Sequence, residues 1–103
     1  MRRAAKIDAN QPEIVEYFRK AGAVVDIVSS LPGIGYDLIV HYMGAIVLVE
    51  VKDGSKPPSE RCLTASETAA WKRHGSKFAV ISDIQEANGL LNSMAEHGLG
   101  PNK

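Results

Sequence analysis

The stretch Tyr36-Asp37-Leu38-Ile39-Val40-His41-Tyr42-Met43-Gly44-Ala45-Ile46-Val47-Leu48-Val49-Glu50-Val51-Lys52 decides how this chain folds. Two apolar, β-branched runs flank a Met43-Gly44 link, and a two-residue link containing glycine is a hairpin signal. With Met43-Gly44 at the turn, Asp37 falls directly opposite Glu50. Opposed residues share a face, with Cβ atoms about 4.5–5.5 Å apart. Lys52, two residues past Glu50, lies on that face as well. Ile39, His41, Ile46 and Leu48 complete it, while Leu38, Val40, Tyr42, Val47, Val49 and Val51 make the other. Both faces are largely apolar, so the sheet is expected to be covered on both sides.

Two carboxylates at the edge of a buried face repel each other and lose solvation. A bound cation turns that liability into a site, and Mg²⁺ and Mn²⁺ favour oxygen ligands. A protonated lysine cannot ligate, but it can hold an attacking water or a developing anion beside the metal. Glu-x-Lys alone at a strand end is an ordinary solvated edge. The register opposite Asp37 and the apolar runs on either side are what set this one apart.

Going outward, residues 1–9 read as a basic arm in which Arg2 and Arg3 are candidate phosphate contacts. Asn10 or Gln11 caps a first helix, Pro12 suits its first turn, and Gly22 ends it. Ile14, Val15, Phe18 and Ala21 form its inward stripe. A first strand spans 23–28, and the loop Ser29 to Gly35, by default a tight turn with Ser29 and Ser30 as candidate phosphate contacts, leads to Asp37. Beyond Lys52, the polar loop from Asp53 to Cys62 carries Lys56 and Arg61, placed to grip a polyanion near the site. Thr64-Ala65-Ser66-Glu67 is a capping box that opens a second helix ending at Gly75. A last strand, 77–81, follows this strand-helix-strand crossover and is expected parallel to the third. Ser82, with Gln85 as its partner, is expected to cap a final helix with the stripe Ile84, Ala87, Leu91 and Met94. Residues 99–103 read as a mobile tail.

The spacing from Asp37 to Glu50-Val51-Lys52 resembles the PD-(D/E)XK nuclease signature. The span from about Asn10 to Ile81 is similar to the small phage and bacterial VRR-NUC nucleases of that superfamily. More distantly it resembles the archaeal Holliday-junction resolvases. The supporting segments are Gly33-Ile34-Gly35-Tyr36-Asp37-Leu38, Glu50-Val51-Lys52-Asp53-Gly54, Lys56-Pro57-Pro58-Ser59 and Leu63-Thr64. Tyr36 stands where the name-giving motif has proline, which changes loop stiffness more than chemistry.

The resemblance implies an α/β, restriction-endonuclease-like fold, αβββαβ with a mixed four-stranded sheet flanked by helices, plus a C-terminal helix. It implies Mg²⁺- or Mn²⁺-dependent hydrolysis of DNA, with Asp37, Glu50 and the carbonyl of Val51 holding the metal and Lys52 assisting. Related nucleases often carry a metal-site glutamate on the first helix. Gln11 occupies that place here, with Glu13 as a charged but misplaced alternative whose plain role is to favour a helix N-terminus. Many relatives carry glutamine, pointing toward the site, where Glu67 stands, so the resemblance makes Glu67 a candidate additional site residue; capping alone accounts for it and is the favoured reading. A homodimer acting on DNA is expected, as an endonuclease or nickase. The rivals are a catalytically inactive binding or assembly module of the same fold and a structure-selective junction resolvase.

Composition limits the alternatives. A chain of 103 residues with 45% apolar and 23% charged residues suits one small globular domain. The formal net charge of +0 gives no global attraction for nucleic acid, so any polyanion must be held by local patches. One cysteine, Cys62, excludes an internal disulfide framework and fits a reducing compartment such as the cytoplasm, which the resemblance would make that of a bacterial or phage-infected cell. No apolar run is long enough for a membrane span. His41, His74 and His97 lack zinc-ligand spacing, and His41 reads as a packed core residue.

Overall fold

The computed structural model describes residues 8–98. Its elements are α1 (Gln11–Lys20), β1 (Val24–Ile27), β2 (Leu38–Tyr42), β3 (Ala45–Val51), α2 (Ala65–His74), β4 (Phe78–Ile81) and α3 (Ile84–His97), with single 3-10 turns at Pro58–Glu60 and Gly75–Lys77. The hairpin forms where the sequence places it. Met43 and Gly44 both adopt positive φ, 49° and 83°, as a tight turn matched to strand twist requires. Leu38 pairs with Val49 and Ile39 with Leu48. The Asp37 N–H carries the ladder one step further by donating to the Val49 carbonyl at 2.9 Å, which sets Asp37 beside Glu50.

The four strands lie in sequence order, β1 antiparallel to β2, β2 to β3, and β4 parallel to β3 as the crossover predicts. One face carries Leu38, Val40, Val47, Val49, Val51 and Ile81. It packs against Ile14, Val15 and Phe18 of α1 and Ala87, Leu90, Leu91 and Met94 of α3. Coverage of the opposite face is only partial, a correction to the expectation of a fully enclosed sheet. There α2 seals Leu48 and Phe78 with Ala70, whereas Val24 and Ile46 on the β1–β3 side remain exposed. α2 is too short to reach across all four strands. His41, expected in the core, lies on that open part and bonds Asp26 through Nε2 at 3.0 Å.

Helix ends bring further corrections. Asp83, not Ser82, caps α3: its Oδ1 accepts the Glu86 N–H at 2.8 Å while Glu86 Oε1 accepts the Ser82 N–H at 2.7 Å. The partner is thus Glu86 rather than Gln85, and Leu90 joins the buried stripe. Ala21 lies past the end of α1 and is exposed. Asn10 precedes α1 without capping it. Its side-chain amide instead donates to the carbonyls of Lys52 and Ser82, each at 3.0 Å, and so ties the helix to the ends of β3 and β4.

Candidate active site

Asp37, Glu50 and Lys52 meet at one end of the sheet beneath the N-terminus of α2, in a cleft of about 400 Å³ that Asp8, Ser29, Tyr36 and Ser66 also line. Asp37 enters β2 from the Gly33–Gly35 loop. Gly35 is obligatory there: its φ is 89°, and a Cβ would collide with the Ser66 carbonyl oxygen and approach Ala70 Cβ to 2.8 Å. The loop therefore lies directly on α2. Asp37 Oδ2 accepts the Val51 N–H at 2.9 Å, which fixes this carboxylate across the hairpin from Glu50.

The electrostatics are those of two acids confined together. Burial lifts the Asp37 carboxyl above its ordinary range, partly opposed by the Val51 N–H. Burial pushes Glu50 up to about 10, helped by the charge of Asp37, and Lys52 opposes this only weakly. The reason is where the lysine points. Lys52 Nζ sits 2.8 Å from Glu67 Oε1 but 3.6 Å from Glu50 Oε2. Burial alone would lower the Lys52 ammonium, but Glu67 first and Glu50 second outweigh it and hold it charged.

Glu67, a candidate additional site residue for which capping is the favoured account, does both. Its Oε1 accepts the Thr64 N–H at 2.8 Å, closing the capping box, and the same oxygen accepts Lys52 Nζ. Burial works against this carboxylate, yet Lys52 and the Thr64 N–H hold it below its usual range. One carboxylate thus serves the helix end and the site together.

Gln11 is buried but does not line the cleft; its amide Nε2 donates to Ser29 Oγ at 2.8 Å, and Ser29 Oγ lies 3.4 Å from the Asp37 carbonyl oxygen. It therefore reaches the acids through Ser29, leaving its own Oε1 buried without a partner. Glu13 is exposed and lines hollows beside Ile84, away from the cleft. The geometry withdraws it from the candidate set, because the helical turn that buries Gln11 turns Glu13 outward. Lys56, Arg61 and Ser30 lie outside the cleft lining. Lys56 reaches toward it only through Asp8, at 3.9 Å. Arg2 and Arg3 fall outside the described residues. The sequence reading missed Asp8, which lay inside a stretch read as basic; it named Ser29 only as a candidate phosphate contact, because the bond to Gln11 depends on a contact with α1 that no local pattern reveals.

Divalent cations of the Mg²⁺ type bind through one or two carboxylates and retain several waters. The donor set fits such an ion: two hard carboxyl groups side by side, with Glu50 holding its proton up to about 10 through burial and for want of a compensating positive charge. Among the described residues, no group of three or more Asp, Glu, His or Cys side chains is arranged to hold a metal, so a closed, all-protein cage does not form.

A solved structure titled "VRR_NUC domain" superposes on this chain with a TM-score of 0.56, covering 87% of this chain and 98% of that one at 22% identity. The chain has a VRR-NUC-type nuclease fold. No family model and no curated protein matches its sequence. In this VRR-NUC-type fold Asp37 and Glu50 sit across the central hairpin from each other, as its register implies, and the N-terminus of α2 lies over them. No helix among the described residues is long and apolar enough to cross a membrane.

Proposed function

We propose that the protein is a metal-dependent nuclease that hydrolyses phosphodiester bonds in DNA, acting as an endonuclease or nickase with Mg²⁺ or Mn²⁺ at Asp37, Glu50 and the Val51 carbonyl. The observation that carries this reading is the pairing of two buried, mutually repelling carboxylates beside an ammonium turned toward a third acid. In hydrolysis a water oxygen bonds to phosphorus as the bond to one sugar oxygen breaks, leaving a phosphate on one end and a hydroxyl on the other. When bound, the metal supplies Lewis-acid polarisation of the phosphate and lowers the pKa of water. Asp37 and Glu50 present oxygen donors on a rigid hairpin. Lys52, held by Glu67, keeps a fixed positive charge at the cleft where the phosphoryl oxygens gain negative charge. Gln11 and Ser29 brace the backbone of Asp37 from behind.

The test is cleavage of supercoiled plasmid, single-stranded DNA and a four-way junction with Mg²⁺ or Mn²⁺, wild type beside Lys52→Ala. Cleavage by the wild type alone supports the nuclease, and the preferred substrate separates nicking from junction resolution. Equal cleavage by both proteins, or none by either, overturns the assignment. A homodimer is the assembly we propose for engaging a duplex, checked by sedimentation.

A further inference from the structure

The cleft has walls of two kinds. Its acids, Asp8, Asp37, Glu50 and Glu67, outnumber Lys52, and Thr64 and Ser66 at the start of α2 add hydroxyls. The apolar side chains of the lining, Leu31, Pro32 and Tyr36, all come from the segment that joins β1 to β2. Acids that face a phosphate chain contribute little to holding it, which gives more weight to uncharged contacts with the nucleosides.

Leu31 is 53% exposed, and Pro32 beside it is exposed as well. A single exposed leucine elsewhere on a surface calls for no explanation. This one projects from a fastened loop on the wall of the cleft itself. Where the loop begins, the Val28 N–H donates to the Asp37 carbonyl at 2.8 Å, and buried Ser29 accepts the Gln11 amide at 2.8 Å. The Leu31 N–H closes a turn onto the Val28 carbonyl at 3.0 Å. Pro32 fixes its own φ and keeps Leu31 out of the helical region. Where the loop ends, Gly35 lies against Ser66 and Ala70 of α2 with no room for a Cβ. The Tyr36 ring packs with Leu48, Ala70 and Phe78 and meets His74 edge-on, ring centres 5.9 Å apart. Leu31-Pro32 is thus a stiff apolar tip between two anchored ends.

We infer that this tip is a wedge. Leu31, backed by Pro32, enters the DNA beside the linkage held at the acids and takes the place of a stacked neighbour. The site therefore favours DNA whose bases are already unpaired or unstacked there, as at a mismatch, a flap or a branch. Leucine and proline wedges part base steps in this way, and parting a stacked step is costly. A substrate that is already open at that step does not bear the cost. The inference rests on the nuclease reading of the cleft and adds to it the class of substrate. A second copy of the chain fits the tip poorly, because two side chains fall far short of the roughly 800 Å² per partner that a stable interface covers.

The test compares a fully paired duplex with the same duplex carrying a short mismatch, each with 2-aminopurine at the pair flanking the mismatch position. Binding and 2-aminopurine emission are measured in Ca²⁺, which takes oxygen ligands as Mg²⁺ does, and cleavage is followed separately in Mg²⁺ on denaturing gels. The full chain should bind the mismatched duplex at least about tenfold more tightly and brighten the 2-aminopurine at saturation. Leu31→Ala should bring the two affinities within about twofold of each other and abolish the brightening, whereas Leu31→Met should keep both effects. Because Leu31 is exposed, Leu31→Ala should leave the melting temperature nearly unchanged. Equal affinity of the wild type for the two duplexes, binding to neither, or a preference that survives in Leu31→Ala overturns the inference. So does a marked loss of melting temperature in Leu31→Ala, which would show the side chain packed on the protein. Cleavage in Mg²⁺ without preference would remove the wedge and leave the nuclease standing. A Leu31-dependent preference with brightening but no cleavage would keep the wedge and remove the nuclease.

Discussion

Replacing Glu50 by glutamine is expected to stabilise the metal-free protein. The Glu50 carboxyl titrates near 4.5 when unfolded and is pushed up to about 10 in the fold, first by burial and then by Asp37. Across that window the folded chain binds a proton that the unfolded chain has released. Stability therefore falls as pH rises, by up to about 1.4 kcal/mol per pH unit. At pH 7.5 the accumulated cost has a ceiling of about 4 kcal/mol. Lys52, 3.6 Å away, can turn from Glu67 toward Glu50, and the open cleft admits water. These relaxations bring the expected cost to about 2 kcal/mol. Glutamine keeps the shape and carries no charge, so Glu50→Gln should gain about that much, or roughly 8–16 °C in Tm for a domain of this size. The assay is thermal unfolding in EDTA at pH 5.5, 7.5 and 8.5. Glu67 and Asp53, both held below their usual range, contribute their pH dependence at more acidic values, outside this window. The wild type should lose stability between pH 5.5 and 8.5 and the variant should lose much less. Addition of Mg²⁺ should then reverse the order, because only the wild type retains both carboxylates for binding to raise its stability. A variant that melts at or below the wild type at pH 7.5 in EDTA, or a wild type that gains stability toward pH 8.5, would refute the argument.

Gly35→Ala should cost upwards of about 2 kcal/mol, since both a positive φ and a collision with the Ser66 backbone oppose the methyl group; urea denaturation measures it, and an unchanged midpoint would show that the loop does not rest on α2. Glu67→Ala should lose about 2–4 kcal/mol through the cap and the buried Lys52 pair together, with Glu67→Gln recovering most of the stability. Equal loss in the two variants would mean that the charge matters and the hydrogen bonds do not. Asp83→Ala, which removes only the α3 cap, should cost about 1 kcal/mol, and Ser82→Ala should be nearly silent in the same melts.

The parts of this fold that were legible from sequence are those fixed by local periodicity. Alternating apolar residues on either side of Met43-Gly44 fix register, and register alone sets Asp37 against Glu50. The capping box at Thr64 and Glu67 announces the start of α2 for the same reason, since both partners lie within one turn. What was not legible depends on contacts between distant segments. Asn10 fits the sequence pattern of an N-cap, but two carbonyls at the ends of β3 and β4 offered its amide better partners. Ser82 and Asp83 are both good caps in isolation, and the backbone leaving β4 chose the second. How completely α2 would cover its face of the sheet could not be read from strands that are apolar on both sides.

Glu67 shows why a sufficient local explanation can conceal a role in the site. Its cap bond to Thr64 fully accounts for a glutamate at the third position of a helix, so no local pattern calls for a second partner, and only the resemblance points toward the site. Yet capping fixes the carboxylate at the helix N-terminus, and the Gly35 loop and β3 hold that terminus over the sheet end where Lys52 emerges. Once the cap has formed, the oxygen is already 2.8 Å from Lys52 Nζ. The ammonium is thereby drawn toward α2 and left 3.6 Å from Glu50, which goes without close charge compensation and holds its proton up to about 10. A glutamine in the same place could cap the helix but would not attract the lysine by charge, and Lys52 would move closer to Glu50 and neutralise it. The acidity of residue 67 therefore bears on how strongly Asp37 and Glu50 draw a cation, through a bond whose local reason is helix formation alone.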